Sequence, residues 1–136
     1  VYKNDPTIIA WNLINEPRCE SWLPANKDCN KRVQAWLIEM SKHVRAQDPN
    51  HLITIGSEGF FGDSTPQLLQ FNPQAWAADM GQDFVMNTNI PDVDFATVHA
   101  WPDNCEWPPA AARVLRVVAA GLAVKFAHAL AETASW

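Results

Sequence analysis

Basic charge is what this chain has little of. Its 136 residues hold 10 Lys and Arg against 15 Asp and Glu, a formal net charge of -5 at pH 7. Phosphate binding needs a basic surface, so nucleic acid is not an expected partner. No apolar run is long enough to cross a bilayer, so no membrane partner is expected either. No internal repeat is evident. The four histidines, His43, His51, His99 and His128, show no ligand spacing with each other or with the three cysteines, so no metal site is predicted. An odd cysteine count leaves at least one thiol unpaired. Tyrosine is almost missing, at one residue against seven Trp. Indole faces stack on sugar rings, which suits a carbohydrate-acting protein. Core packing is the plainer role, and it is expected of Trp11 and Trp36.

What is present begins with an apolar run that ends on a carboxylate. Thr7-Ile8-Ile9-Ala10-Trp11-Asn12-Leu13-Ile14 is rich in β-branched and aromatic residues and too short for a typical helix, so it reads as a buried strand. Asn15-Glu16-Pro17 follows, and Pro17 cannot donate to a ladder, so the strand stops there. Glu16 is thereby presented at the carboxyl end of a strand. In a parallel α/β barrel that rim carries the chemistry. Asn15 beside it supplies a neutral amide, suited to holding a substrate hydroxyl.

Lys31 to Gln47 reads as an amphipathic helix, with Val33, Trp36, Leu37, Met40 and Val44 on the inner face. Asn30 is the expected N-cap, and Asp48-Pro49-Asn50 ends the helix. His51 to Gly56 reads as the next strand, with Gly56 allowing a bend. A long irregular stretch runs from Glu58 to about Pro91, with a short helix expected from Pro73 to Met80. Excursions of that length at an active-site rim usually carry function. Asp94 to His99 reads as a third strand. Strand, helix, strand, long loop, strand is the order of successive parallel strands in one sheet.

Longer matches then accumulate: Tyr2 to Ile8 (YKNDPTI), Trp11 to Cys19 (WNLINEPRC), Ile55-Gly56 with Glu58 to Gly62 (EGFFG), and Asp94 to Asp103 (DFATVHAWPD). In this order and at about this spacing they resemble the mannan endo-1,4-β-mannosidases of glycoside hydrolase family 5, most of all the plant and fungal type. The resemblance reaches from Tyr2 to about Pro102. It implies an α/β fold, a partial (β/α)8 TIM barrel comprising about strands four to six with their helices. It also implies a retaining mechanism, β-1,4-linked mannan as the polysaccharide substrate, and no cofactor. Rival readings are another family 5 β-1,4-glycanase such as a cellulase, because Asn-Glu-Pro is shared across the family, and a vestigial mannan-binding protein.

Carried over residue by residue, Glu16 resembles the general acid/base. Asn15 resembles the ligand of the sugar 2-hydroxyl, whose hydrogen bond strengthens in the transition state. His99 resembles the His of a His-x-Tyr pattern near the catalytic carboxylates. The Tyr position holds Trp101, which has an N–H donor but no hydroxyl. Arg18 and Glu58 resemble substrate contacts beside the cleavage point; an ion pair between them is the compatible plainer reading. A retaining enzyme needs a second carboxylate about 5–5.5 Å from the first. After His99 the chain offers Asp103, Glu106 and Glu132, none with the family's strand before it and turn after it, so no nucleophile is expected in this chain.

A complete barrel takes about 250 residues. The sequence is therefore expected to be a fragment, incomplete at both ends, with residues 1–107 as the central part of the barrel. Residues 108–136 turn Ala- and Val-rich, with a helix expected from about Ala110 to Ala131. That tail is either a degenerate outer helix or the product of a shifted reading frame or mispredicted exon. Cys19 and Cys29 share one polar loop and can pair, consistent with a secreted, extracellular protein. Cys105 is left over.

Overall fold

The computed structural model describes residues 2–19 and 28–99. Trp101, Asp103, Cys105, Glu106, Glu132 and the Ala-rich tail lie outside the described residues, as do the readings made for them.

The first expected strand is present but short. Strand β1 spans Ala10–Asn12 and pairs in parallel with β2, Leu52–Thr54, in the register Ala10 with Leu52, Trp11 with Ile53 and Asn12 with Thr54. The pairing continues beyond the strands. Leu52 N–H donates to the Ile9 carbonyl, Leu13 N–H to Thr54, and Glu16 N–H to Gly56. β1 is not the fully buried strand expected: Trp11 is half-buried and Ile9 is 78% exposed.

Helix α1, Cys29–Gln47, connects the two strands. It starts two residues earlier than expected, and the N-cap position falls on Asp28, whose side chain makes no capping bond. Cys29 is tied to Cys19 by a disulfide and is already helical, so Asn30 sits inside the first turn. There its side-chain Oδ1 accepts from Lys31 N–H and its side-chain Nδ2 donates to Asp63 Oδ2. Val33 and Leu37 pack with Ile55, Ile90 and Val93 to form the main core, with Leu13 and Cys19 against its edge. Trp36, expected on the inner face, is exposed. Adjacent helical residues lie about 100° apart, so a residue next to Leu37 falls on the flank of the stripe.

The Asp48-Pro49-Asn50 stop does more than end α1. Asp48 Oδ1 accepts from the N–H groups of Asn50 and His51, which closes an Asx-type turn into β2. Its Oδ2 accepts from the Trp11 indole at 2.7 Å and lies 2.6 Å from His51 Nδ1. His51 Nε2 lies 3.0 Å from the Asp5 carbonyl. Burial alone would raise Asp48, but the hydrogen bonds from His51, Trp11 and the two N–H groups prevail and hold it well below the usual carboxylate range. His51 is raised above the ordinary 6.5, first by its bond to Asp48 and next by that to Asp5.

Residues 94–99 form no strand, although a strand was expected there. The Asp94 side chain takes a donor that a ladder carbonyl would use: Ile53 N–H donates to Asp94 Oδ2 at 2.7 Å. Asp94 N–H donates to the Ile53 carbonyl, Thr54 Oγ1 to Phe95, and Thr97 Oγ1 to Ser57. Positions rise together along both segments, so 94–99 runs in the direction of β2. Arg45 clasps this joint, reaching the carbonyls of His51 and Asp92 and the Asp94 carboxylate.

The long connection from Glu58 is folded tightly. It holds two 3₁₀ segments, Pro66–Phe71 and Ala75–Met80, and helix α2, Phe84–Thr88, capped by Asp83 accepting from Met86 N–H. The second 3₁₀ segment replaces the helix expected from Pro73. Phe61 and Phe84 meet edge to face, with ring centroids 6.0 Å apart, at the centre of this unit.

Two outcomes follow for stability. Gly56 has φ +64°, and a Cβ there would lie 2.0 Å from the Ile14 carbonyl oxygen and 2.5 Å from Asn12 Oδ1. Gly56→Ala should therefore cost more than the ~1–2 kcal/mol of a left-handed non-Gly residue, read as a fall in the urea midpoint. His51, raised when folded, contributes stability that is full below about pH 6.5 and is lost as pH rises through its folded value. Asp48, depressed, contributes stability present above about 3.8 and lost only at more acid pH. Urea midpoints should thus decline as pH rises above about 6.5 in the wild type and stay flat over the same rise in His51→Gln. Equal slopes in both would remove this account.

Candidate active site

Glu16 occupies an unusual backbone position. Its φ is 52°, in the left-handed region that non-glycine residues seldom enter, and the following Pro17 ordinarily pushes its predecessor to extended backbone. Such a conformation costs about 1–3 kcal/mol and persists only where the surroundings enforce it. Here Glu16 N–H donates to the Gly56 carbonyl at 2.9 Å, and Pro17 is buried just beyond. The bend lifts the side chain off the end of β1, where it stays partly open to solvent.

His99 Nδ1 lies 3.0 Å from Glu16 Oε1. These residues are 83 positions apart in sequence, and they meet because 94–99 runs alongside β2 and β2 alongside β1. Arg18 Nη2 lies 3.6 Å from Glu16 Oε2. Asn15 is exposed next to Glu16. Four of the expected site residues, Asn15, Glu16, Arg18 and His99, therefore gather at one end of the sheet.

Glu58 reaches the same place but from below. It is only 6% exposed, and both its oxygens are engaged. Arg18 Nε donates to Oε2 at 2.8 Å and Arg18 Nη2 to Oε1, a two-pronged pair. The Gln82 amide donates to Oε2 at 2.8 Å. Glu58 thus makes the ion pair with Arg18 that the plainer of the two compatible readings expected. Its carboxylate is saturated within the protein, and the ion pair with Arg18 is what the geometry provides.

Two further residues were not anticipated. The Arg18 guanidinium sits over the Trp76 ring, 5.6 Å from its centroid, and Trp76 in turn meets Phe60 edge to face. The tryptophan surplus was the one sequence signal for Trp76. Gln82 is fully buried within the long connection, and nothing local in Gly81-Gln82-Asp83 marks it. Among the described residues, no group of three His, Cys, Asp or Glu is placed to hold a metal ion.

The Cys19–Cys29 disulfide anchors the outer side. Its Cα atoms are 5.3 Å apart, and it packs on Gly81, where a Cβ would meet both cysteine Cβ atoms at 3.1–3.2 Å. Cys19 N–H also donates to the Met80 carbonyl. Arg18 is thus held one residue from a covalent tie to the start of α1.

Comparison with known proteins shows the family of the chain. The model of the glycoside hydrolase family 5 beta-mannosidase-like family matches residues 1–117, and the chain belongs to that family. It is 48% identical over 103 residues to mannan endo-1,4-beta-mannosidase 2 of Arabidopsis thaliana, covering 76% of this chain and 23% of that protein. It is 46% identical over 108 residues to mannan endo-1,4-beta-mannosidase 8 of Oryza sativa subsp. japonica, covering 79% and 27%. Among solved structures it is similar to the endo-beta-1,4-mannanase of Thermotoga petrophila, with TM-score 0.61 and 36% identity over 78% of this chain and 22% of that one. The endo-1,4-beta-mannanase of Rhizomucor miehei matches at TM-score 0.61 and 34% identity, over 77% and 29%. The chain spans about a quarter of the length of the curated relatives it matches. These structural neighbours belong to the TIM-barrel family of glycoside hydrolases.

Cutting the disulfide should loosen this side of the site. Closing a loop of sequence separation 10 stabilises by roughly 2–3 kcal/mol in the chain-entropy account. Non-reduced peptide mapping should recover Cys19 and Cys29 in one cross-linked species, and Cys29→Ser should lower the urea midpoint accordingly. Two free thiols in the native protein would contradict both the link and its energetic role.

Proposed function

We propose that this chain carries the acid/base half of an endo-β-1,4-mannanase site, which hydrolyses internal β-1,4-mannosidic linkages in mannan by a retaining mechanism. The observation that carries the reading is Glu16. It is a carboxyl at the end of a parallel strand, held in left-handed backbone, with His99 Nδ1 at 3.0 Å and Arg18 at 3.6 Å. In a retaining glycosidase such a carboxyl protonates the leaving oxygen and later takes a proton from water. Asn15 holds the sugar 2-hydroxyl. His99 orients the Glu16 carboxyl. Arg18 donates to substrate hydroxyls beside Glu16, and Trp101 is a further substrate contact by the family resemblance alone.

The nucleophilic carboxylate of the mechanism is assigned to no residue of this chain. Residues 1–107 correspond to the central part of the barrel, about strands four to six, with 108–136 as a tail outside it. Mannan is the partner, and the disulfide supports an extracellular setting.

The reading predicts two contrasting results. The chain alone should release no more reducing ends from galactomannan than its Glu16→Gln variant does. Set in place of the aligned segment of the Thermotoga petrophila mannanase, it should support galactomannan hydrolysis. Glu16→Gln in that chimera should then lower kcat by about 10²–10⁴, the usual worth of a general acid/base. A folded chimera that hydrolyses mannan equally well with Gln at position 16 would overturn the assignment.

A further inference from the structure

We infer that Gln82 is a positioning residue for the site: its buried amide orients the Glu58 carboxylate, which in turn holds the Arg18 guanidinium beside Glu16. The mechanistic meaning rests on the reading of Glu16 as the acid/base, but the placement itself does not.

Gln82 is 1% exposed, so its amide must be paired within the protein. The pairing fixes which end points where. Oε1 accepts from Ser57 Oγ at 3.0 Å and from Glu58 N–H at 3.3 Å. An oxygen facing those two donors leaves Nε2 to face Glu58 Oε2, at 2.8 Å. Gln82 therefore grips Glu58 at both its backbone and its carboxylate. Ser57 locks the arrangement further by accepting from Gly59 N–H at 3.0 Å through the same hydroxyl. With the Glu58 plane set, a two-pronged partner has one docking direction. Arg18 takes it, and Nη2, the nitrogen bonded to Oε1, is also the one 3.6 Å from Glu16. The Trp76 ring lies against the guanidinium as well, with its centroid 5.6 Å away.

The order of dependence is thus Ser57 and Gln82, then Glu58, then Arg18, then the space beside Glu16. The cationic edge facing Glu16 is set by an amide that touches neither substrate nor Glu16. Gln82 lies beyond the Gly81 that packs on the Cys19–Cys29 disulfide, so both ends of the Arg18 segment are referred to one short stretch, 80–82.

The test reads Arg18 directly by NMR in the 136-residue chain. Two signals report its placement: protection of the Nε–H from solvent exchange, and the ring-current shift of its side-chain protons over Trp76. Gln82→Met keeps the volume and removes the amide. It should speed Nε–H exchange by roughly tenfold, the order expected when hydrogen bonds to a charged group are lost. It should also erase the ring-current shift while backbone dispersion persists. Ser57→Ala should do the same to a smaller degree. Should Gln82→Met lose its dispersed spectrum, Gln82→Asn, which retains the amide but draws it one methylene away from Glu58, carries the same expectation. Arg18 signals unchanged in a folded Gln82 variant would overturn the proposal. Failure of the mannanase reading would show in the chimera assay and leave these signals as predicted.

Discussion

The structure of this site depends on one hydrogen bond at the end of β1, from Glu16 N–H to the Gly56 carbonyl. It ties a strained residue to a glycine that no other residue can replace without meeting Ile14 and Asn12. The strain and the close approach explain each other. For Glu16 to swing over the sheet end, the chain must turn left-handed there, and the turn brings Ile14 down onto Gly56. A side chain at 56 would push β1 away and release the turn. The geometry at Glu16 therefore draws on a backbone contact between adjacent parallel strands, which is the most rigid material the fold has to offer.

The sheet beneath is stabilised from its opposite end. Asp48 collects the Trp11 indole, the His51 imidazole and two backbone N–H groups, and His51 passes the connection on to Asp5. That cluster fixes the starts of β1 and β2 relative to each other. Arg45 does the same for β2 and the 94–99 segment. Chemistry at one end of parallel strands with stabilising contacts at the other is the division of labour expected of barrel strands. Here the polar stabilising groups come from the turn that ends α1, so one short motif both stops the helix and clamps the sheet.

Much of this was legible in the sequence, for reasons that differ by residue. Glu16 could be located because an apolar run and a proline bracket it, and both act locally. His99 followed because a second apolar run ends on it and parallel strands share a rim. The helix stop at 48–50 was legible because Asp-Pro-Asn has local turn chemistry. What could not be read is set by long-range pairing. Asp94 displaces a ladder bond with its side chain, so the expected strand from 94 to 99 is extended without being a strand. Trp36 missed the core by one position of helical phase. Asn30 lost the N-cap because a disulfide drew Cys29 into the helix. That both Glu58 oxygens go to Arg18 and Gln82 depends on a residue 24 positions away in sequence, which no local pattern marks.

The burial of Glu58 shows why those pairings matter to the chemistry. An unpaired carboxylate at 6% exposure would cost several kcal/mol in desolvation. Arg18 and Gln82 offset that cost by filling both oxygens, and in doing so they restrict Arg18 to a single orientation. A surface arginine paired with a surface carboxylate would gain little and would sample many rotamers. Sinking the acid while leaving the arginine 42% exposed gives a cation that is rigid at its base and still reached by solvent. That is the property needed of a group that stands beside Glu16 without following it: its charge is already in place, and no reorganisation is needed to bring it there.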